Sequence, residues 1–115
     1  MELQMTKEAS AFLAILYREY CARRKQGMSI EDSAQLGDDT SIQSSLTPKL
    51  LLDDVTHLCW QLNKCGILHA FPGDNRANDV SITDKGILFM QEQFPRGIKD
   101  ALDWLEKLAP LIPWL

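Results

Sequence analysis

Apolar side chains recur along this chain with two different periods, and the switch between them divides it into elements. Phe12, Leu13, Leu16, Tyr17 and Tyr20 return at three- and four-residue spacing, which predicts one apolar stripe on a helix from Thr6 to Gln26. Gly27 ends that helix, and Arg23, Arg24 and Lys25 complement the negative end of its dipole. Ser29 followed by Asp32 opens a short second helix, Ile30 to Leu36, stopped by Gly37. Residues 38–48 are rich in Asp, Ser and Thr and read as a connector, with one helical turn around Ile42 to Leu46 whose apolar side chains tuck against the body.

A third helix runs from about Pro48 or Leu52 to Cys65, with Val55, Leu58, Cys59 and Leu62 inward. The period then drops to two. Ile67 to Phe71 and Asp79 to Thr83 alternate apolar and polar residues around a turn-forming stretch, Pro72-Gly73-Asp74-Asn75-Arg76, which predicts a hairpin with Arg76 at its tip. Thr83 or Asp84 caps a fourth helix bearing Ile87, Leu88, Met90 and Phe94. Pro95 interrupts it, and Ile98, Ala101, Leu102, Leu105 and Leu108 resume the stripe to about Ala109. The fold class is therefore mainly α (α+β), a single domain over 1–115, with its core in 6–95 and a C-terminal helix and tail in 96–115.

Composition agrees with a globular domain: 45% of the 115 residues are hydrophobic and 24% charged. No apolar run approaches the ~20 residues of a membrane span, and the N-terminus is too polar for a signal peptide, so a cytoplasmic protein is expected. Three cysteines, an odd number, fit a reducing compartment better than a disulfide framework. His57, Cys59, Cys65 and His69 are close in sequence, but on a helix turning ~100° per residue they diverge. No metal, no cofactor and no catalytic constellation is expected. Asp38-Asp39 and Asp53-Asp54 are sequence neighbours that point different ways, not paired acid and base.

The net charge of −4 is unevenly spread. Residues 28–58 hold Lys49 against Glu31, Asp32, Asp38, Asp39, Asp53 and Asp54, whereas the first 27 residues carry a small basic excess. Nucleic-acid modules ordinarily carry a basic stripe. On the outer face of the third helix lie Asp53, Thr56, His57, Trp60 and Lys64. Two readings of Trp60 stand side by side: it is covered by the 38–48 connector, or it anchors a partner.

Leu62-Asn63-Lys64-Cys65-Gly66-Ile67-Leu68, the ribbon, and Ile82-Thr83-Asp84-Lys85-Gly86-Ile87 resemble the end of a recognition helix, a wing and the following helix. The chain is similar in this part to the winged-helix superfamily of bacterial regulators, of MarR and PadR shape, and to small uncharacterised YjcQ-like bacterial proteins. The resemblance implies a winged helix with a two-stranded β-ribbon and an extended C-terminal helix. It implies transcription regulation through duplex DNA, with nucleic-acid contacts at Lys49, Thr56, His57, Gln61, Lys64 and Arg76, and a homodimer through the C-terminal helix. Two departures stand out: Gly37 to Leu51 separates the second and third helices, where a helix-turn-helix uses three or four residues, and Asp53 and Asp54 open the helix that would meet phosphates. The alternative is a protein-interaction module of the same shape, with Trp60, Leu105, Leu111 and Trp114 as partner-binding residues.

Overall fold

The computed structural model describes residues 5–115, in which α1 (Lys7–Lys25), α2 (Ile30–Ala34), β1 (Gln35–Gly37), α3 (Asp39–Ser45), α4 (Leu52–Lys64), β2 (Leu68–Gly73), β3 (Arg76–Ile82), α5 (Asp84–Gln93) and α6 (Ile98–Leu108) follow in order, closed by a 3-10 turn at Ala109–Leu111. The strands form one antiparallel sheet in the order β1-β3-β2. The architecture is mixed α+β, and no described helix is long and apolar enough to cross a membrane.

Helix α1 is the centre of the molecule. Thr6 caps it through a bond from the Ala9 N–H to Oγ1 (3.0 Å). Every residue from Ala11 to Tyr17 is buried, not only the expected stripe. The alanines at 11 and 14 explain the difference: their small side chains let neighbours close over the flanks of the stripe, so α1 is covered on all sides. Helices α2, α4, α5 and α6 all pack against it.

Two elements depart from expectation between residues 35 and 48. The second helix stops after five residues, because Gln35 turns to extended backbone and Gln35–Gly37 pairs with Ser81 and Val80 of β3. Leu36 is thereby buried as a strand residue, not as a helix residue. The connector is a two-turn helix, α3, beginning three residues earlier than the single turn expected around Ile42. Ile42 is fully buried against the body, and α3 packs on α4. The helix adjoining α4 in sequence is therefore α3, with only Leu46 to Leu51 between them, and the long stretch between the second and third expected helices is occupied by β1 and α3.

The hairpin is longer and tighter than its sequence suggests. Strands β2 and β3 pair down to Gly73 and Arg76, leaving Asp74-Asn75 as the turn. Both have positive φ (52° and 59°), the pattern of a type I′ connection, which asparagine and aspartate tolerate better than other non-glycine residues. Arg76 is thus the first residue of β3 and not a free tip. Opposite Ala70, an extra residue, Asp79, bulges out of β3 with φ of 48°. The outer edge of β2 is blunted: Pro72 has no N–H, and the Ala70 N–H is taken by Asn63 Oδ1 (3.3 Å).

Thr83 joins hairpin to helix. Its Oγ1 accepts from the Gly86 N–H (3.0 Å) and lies 2.6 Å from the Gly66 carbonyl oxygen, to which it donates. A side chain at Gly86 would place Cβ 2.5 Å from the Ile67 carbonyl oxygen, so glycine is what lets α5 start this close to the strand. The apolar tail folds back on its own chain: Ile112 is buried, and the Trp114 indole N–H donates to Glu8 Oε1 (3.0 Å) on α1.

Candidate functional site at the helix–hairpin face

The organising residue of the outer face is Asp39, the first residue of α3, which is fully buried. Its Oδ2 accepts from the Thr56 hydroxyl of α4 (2.5 Å) and from the Ala77 N–H of β3 (3.0 Å). One carboxylate therefore ties α3, α4 and the hairpin together. Its other oxygen, Oδ1, has no hydrogen-bond partner among the described residues. The neighbouring Asp38 serves the same strand at another point, where Oδ1 accepts from the N–H of the bulged Asp79 (3.0 Å). The two adjacent acids that open α3 thus satisfy two β3 donors that the sheet leaves free.

Arg76 completes the group. Its Nη2 lies 3.2 Å from Asp53 Oδ1, and its Nη1 donates to Thr56 Oγ1 (3.3 Å) and stands 3.9 Å from Asp39 Oδ2. Thr56 accepts from the guanidinium and passes its own proton toward Asp39, so the four side chains form one chain of charge-assisted bonds. The Arg76 side chain is turned back against α4, with 30% of it exposed, while Asp53 keeps 90% of its side chain in solvent.

Beside this group lies an open cleft of about 620 Å³, lined by Thr56, Trp60, Pro72, Gly73, Asp74, Asn75 and Arg76. Trp60 is half-buried and forms the helix side, and the hairpin turn forms the other. The hairpin turn thus stands across the cleft from this indole. Nothing else in the cleft is strongly apolar apart from Pro72.

The remaining residues singled out in the sequence fall in different places. His57 and Lys64 are exposed on α4, but Gln61 and Lys64 line a separate depression with Met5, Thr6 and Ala9. Lys49 lines a groove against Ile15, Arg18 and α6. Only Thr56 and Arg76, of the six positions named for nucleic acid, share the Trp60 cleft. Leu105 is buried in the chain's own core, Trp114 is half-buried against Glu8, and Leu111 is 64% exposed. Taken together, α4 and the hairpin carry four carboxylates (Asp53, Asp54, Asp74, Asp79) and two cations (Lys64, Arg76).

Neither Cys21 nor Cys59 is electrostatically activated. Cys59 sits in the core, where burial, and secondarily the nearby Asp39 charge, pushes its pKa up to about 12. Burial also raises Cys21, which touches Tyr17, and burial raises Tyr17 itself. A nucleophilic cysteine requires the opposite shift. Among the described residues no group of three His, Cys, Asp or Glu side chains could hold a metal ion.

No protein-family model, curated protein or solved structure matches this chain. The case for an activity therefore rests on the site itself. What α4 and the hairpin offer is a recess with one large aromatic wall, a rigid polar floor and an acidic surround.

Proposed function

We propose that the chain is a winged helix whose α4–hairpin face recognises a protein partner. Support for the fold comes from the path β1-α3-α4-β2-β3 and the sheet order β1-β3-β2, with the hairpin in the place of a wing. The observation that carries the functional part is Arg76. A wing arginine that reads DNA must reach outward into a groove. Here it is folded back into Asp53, Thr56 and Asp39, and its charge is spent within the protein. With it withdrawn, the helix that would enter a major groove presents Asp53 and Asp54 at its start and Lys64 alone at its end. Phosphates would meet net negative charge, whereas Trp60 offers the aromatic anchor typical of protein interfaces.

The test is a titration of the folded protein into a labelled random duplex at low salt. Non-specific affinities of DNA-binding proteins lie at about 10⁻⁴–10⁻⁶ M even at physiological salt. Absence of binding at tens of micromolar is expected. Salt-sensitive binding in that range would instead support the second reading, a DNA-binding regulator, which the topology itself favours. A homodimer through the C-terminal helix would rest on Leu102 and Leu111, which are 39% and 64% exposed, because Ala101 and Leu105 are committed to the interior. Sedimentation equilibrium of wild type against Leu111→Glu tests it, a dimer lost in the variant being the supporting result.

A further inference from the structure

We infer that the Trp60 cleft receives a basic peptide segment, an arginine or lysine of the partner lying over the indole. This rests on the protein-recognition reading above and specifies its chemistry. The cleft is an open recess of about 620 Å³ between one turn of α4 and the Asp74-Asn75 turn, too open to enclose a small molecule. Its aromatic wall, Trp60, is half-buried and lines the recess. Tryptophan is the best of the aromatic faces for a cation.

Charge complementarity selects the occupant. Asp74 lines the recess on the hairpin side. Asp53 stands at its helix side, linked to the cleft-lining Arg76 through Oδ1, with 90% of its side chain in solvent and no hydrogen-bond partner described for Oδ2. The buried Asp39 adds a third negative charge behind the floor, against Arg76 as the only cation lining the recess. A cationic side chain over Trp60 would meet the exposed Asp74 carboxylate within the recess and the field of Asp53 and Asp39 behind Arg76, while an acidic or phosphate-bearing segment would meet a net negative surround. The Asp39–Thr56–Arg76–Asp53 chain matters here as well: it engages the resident guanidinium with Asp53 and Thr56.

The experiment is selection of a phage-displayed random dodecapeptide library on the immobilised full chain, with counter-selection on Trp60→Ala. Recovered peptides are then measured by fluorescence anisotropy against wild type, Trp60→Phe and Asp74→Asn. Trp60→Phe retains packing should the alanine variant fail to fold, which circular dichroism reports. Asparagine tolerates the positive φ at position 74. The expected result is a set of peptides enriched in arginine and lysine, binding about tenfold more weakly to Trp60→Phe and about threefold more weakly to Asp74→Asn, with affinity falling as salt rises. Trp60-dependent peptides without basic residues would overturn the chemistry and leave the docking reading standing. Recovery of no Trp60-dependent peptide overturns the inference, and if duplex DNA binds as well the docking reading falls with it.

Discussion

Replacing Asp39 tests whether one buried carboxylate holds the outer face together. In Asp39→Ala the Ala77 N–H, in a fully buried residue, loses its acceptor, and no other acceptor is described for it. An orphaned buried donor costs about 1–3 kcal/mol. Thr56 loses less, because its hydroxyl already lies 3.1 Å from the Leu52 carbonyl and can turn to it. Arg76 keeps Asp53, so its loss is that of one long contact at 3.9 Å. The small cavity adds to the total, and a destabilisation of about 3 kcal/mol follows. Asp39→Asn retains an oxygen for Ala77 and Thr56 and loses only the charge, so it should cost about 1 kcal/mol.

Urea unfolding followed by far-ultraviolet circular dichroism measures both variants. With m near about 1.5 kcal/mol/M for a domain of this size, the alanine variant should lower the midpoint by about 2 M and the asparagine variant by well under 1 M. Equal losses would refute the reasoning, since they would assign the effect to the ion pair with Arg76 and not to the shared hydrogen bonds. A loss below about 0.5 kcal/mol for Asp39→Ala would show that the bracing contributes nothing measurable.

Three further outcomes follow from other parts of the fold. Cys59 is raised from 9.0 to about 12, so the folded protein holds that proton where the unfolded chain releases it; stability from this group is intact below pH 9 and is lost as pH rises toward 12. Alkaline urea titrations should show Cys59→Ala losing stability less steeply than wild type across that window, and identical slopes would contradict the assignment. Gly86→Ala must displace the Ile67 carbonyl from 2.5 Å, and a loss of about 3 kcal/mol or complete failure to fold is expected by thermal melting. Asn75→Gly relieves a left-handed residue at the second turn position, φ 59°, and should raise stability by about 0.5 kcal/mol in the same assay.

How much of this was legible in the chain depends on what each element is made of. The inner face of α4, Val55, Leu58, Cys59 and Leu62, could be read directly because four apolar residues repeat at helical spacing. Thr83 could be read as a cap for the same kind of reason, since its side chain acts on a donor three residues away. Strand β1 could not: three residues are too few to show a period, and its pairing with β3 is decided by residues more than forty positions away. Helix α3 was legible only as one turn around Ile42, because Asp, Ser and Thr at its start resemble a connector until the burial of Asp39 is known. For the site, Trp60 and Arg76 could be named from sequence, but not their relation. Whether a lone arginine near a turn faces outward or inward depends on long-range acceptors, here Asp39 and Asp53, that no local pattern reports.

The direction of Arg76 also connects stability to the proposed function. The carboxylate that satisfies Ala77 and Thr56 sits on the same chain of contacts that draws the guanidinium inward, so bracing the hairpin and withdrawing its cation are one structural event. A face intended for phosphates would gain by the reverse arrangement, with the buried acid replaced by a neutral acceptor and the arginine released to solvent. Burying a carboxylate with one oxygen unpartnered is costly, and an amide could serve both of its hydrogen bonds without the charge. What the charge adds is one longer contact to Arg76 (3.9 Å) beside the closer one that Asp53 makes. On this argument the face proposed for recognition is built by the same residues that build the fold, and the proposal favours partners that bring positive charge to it.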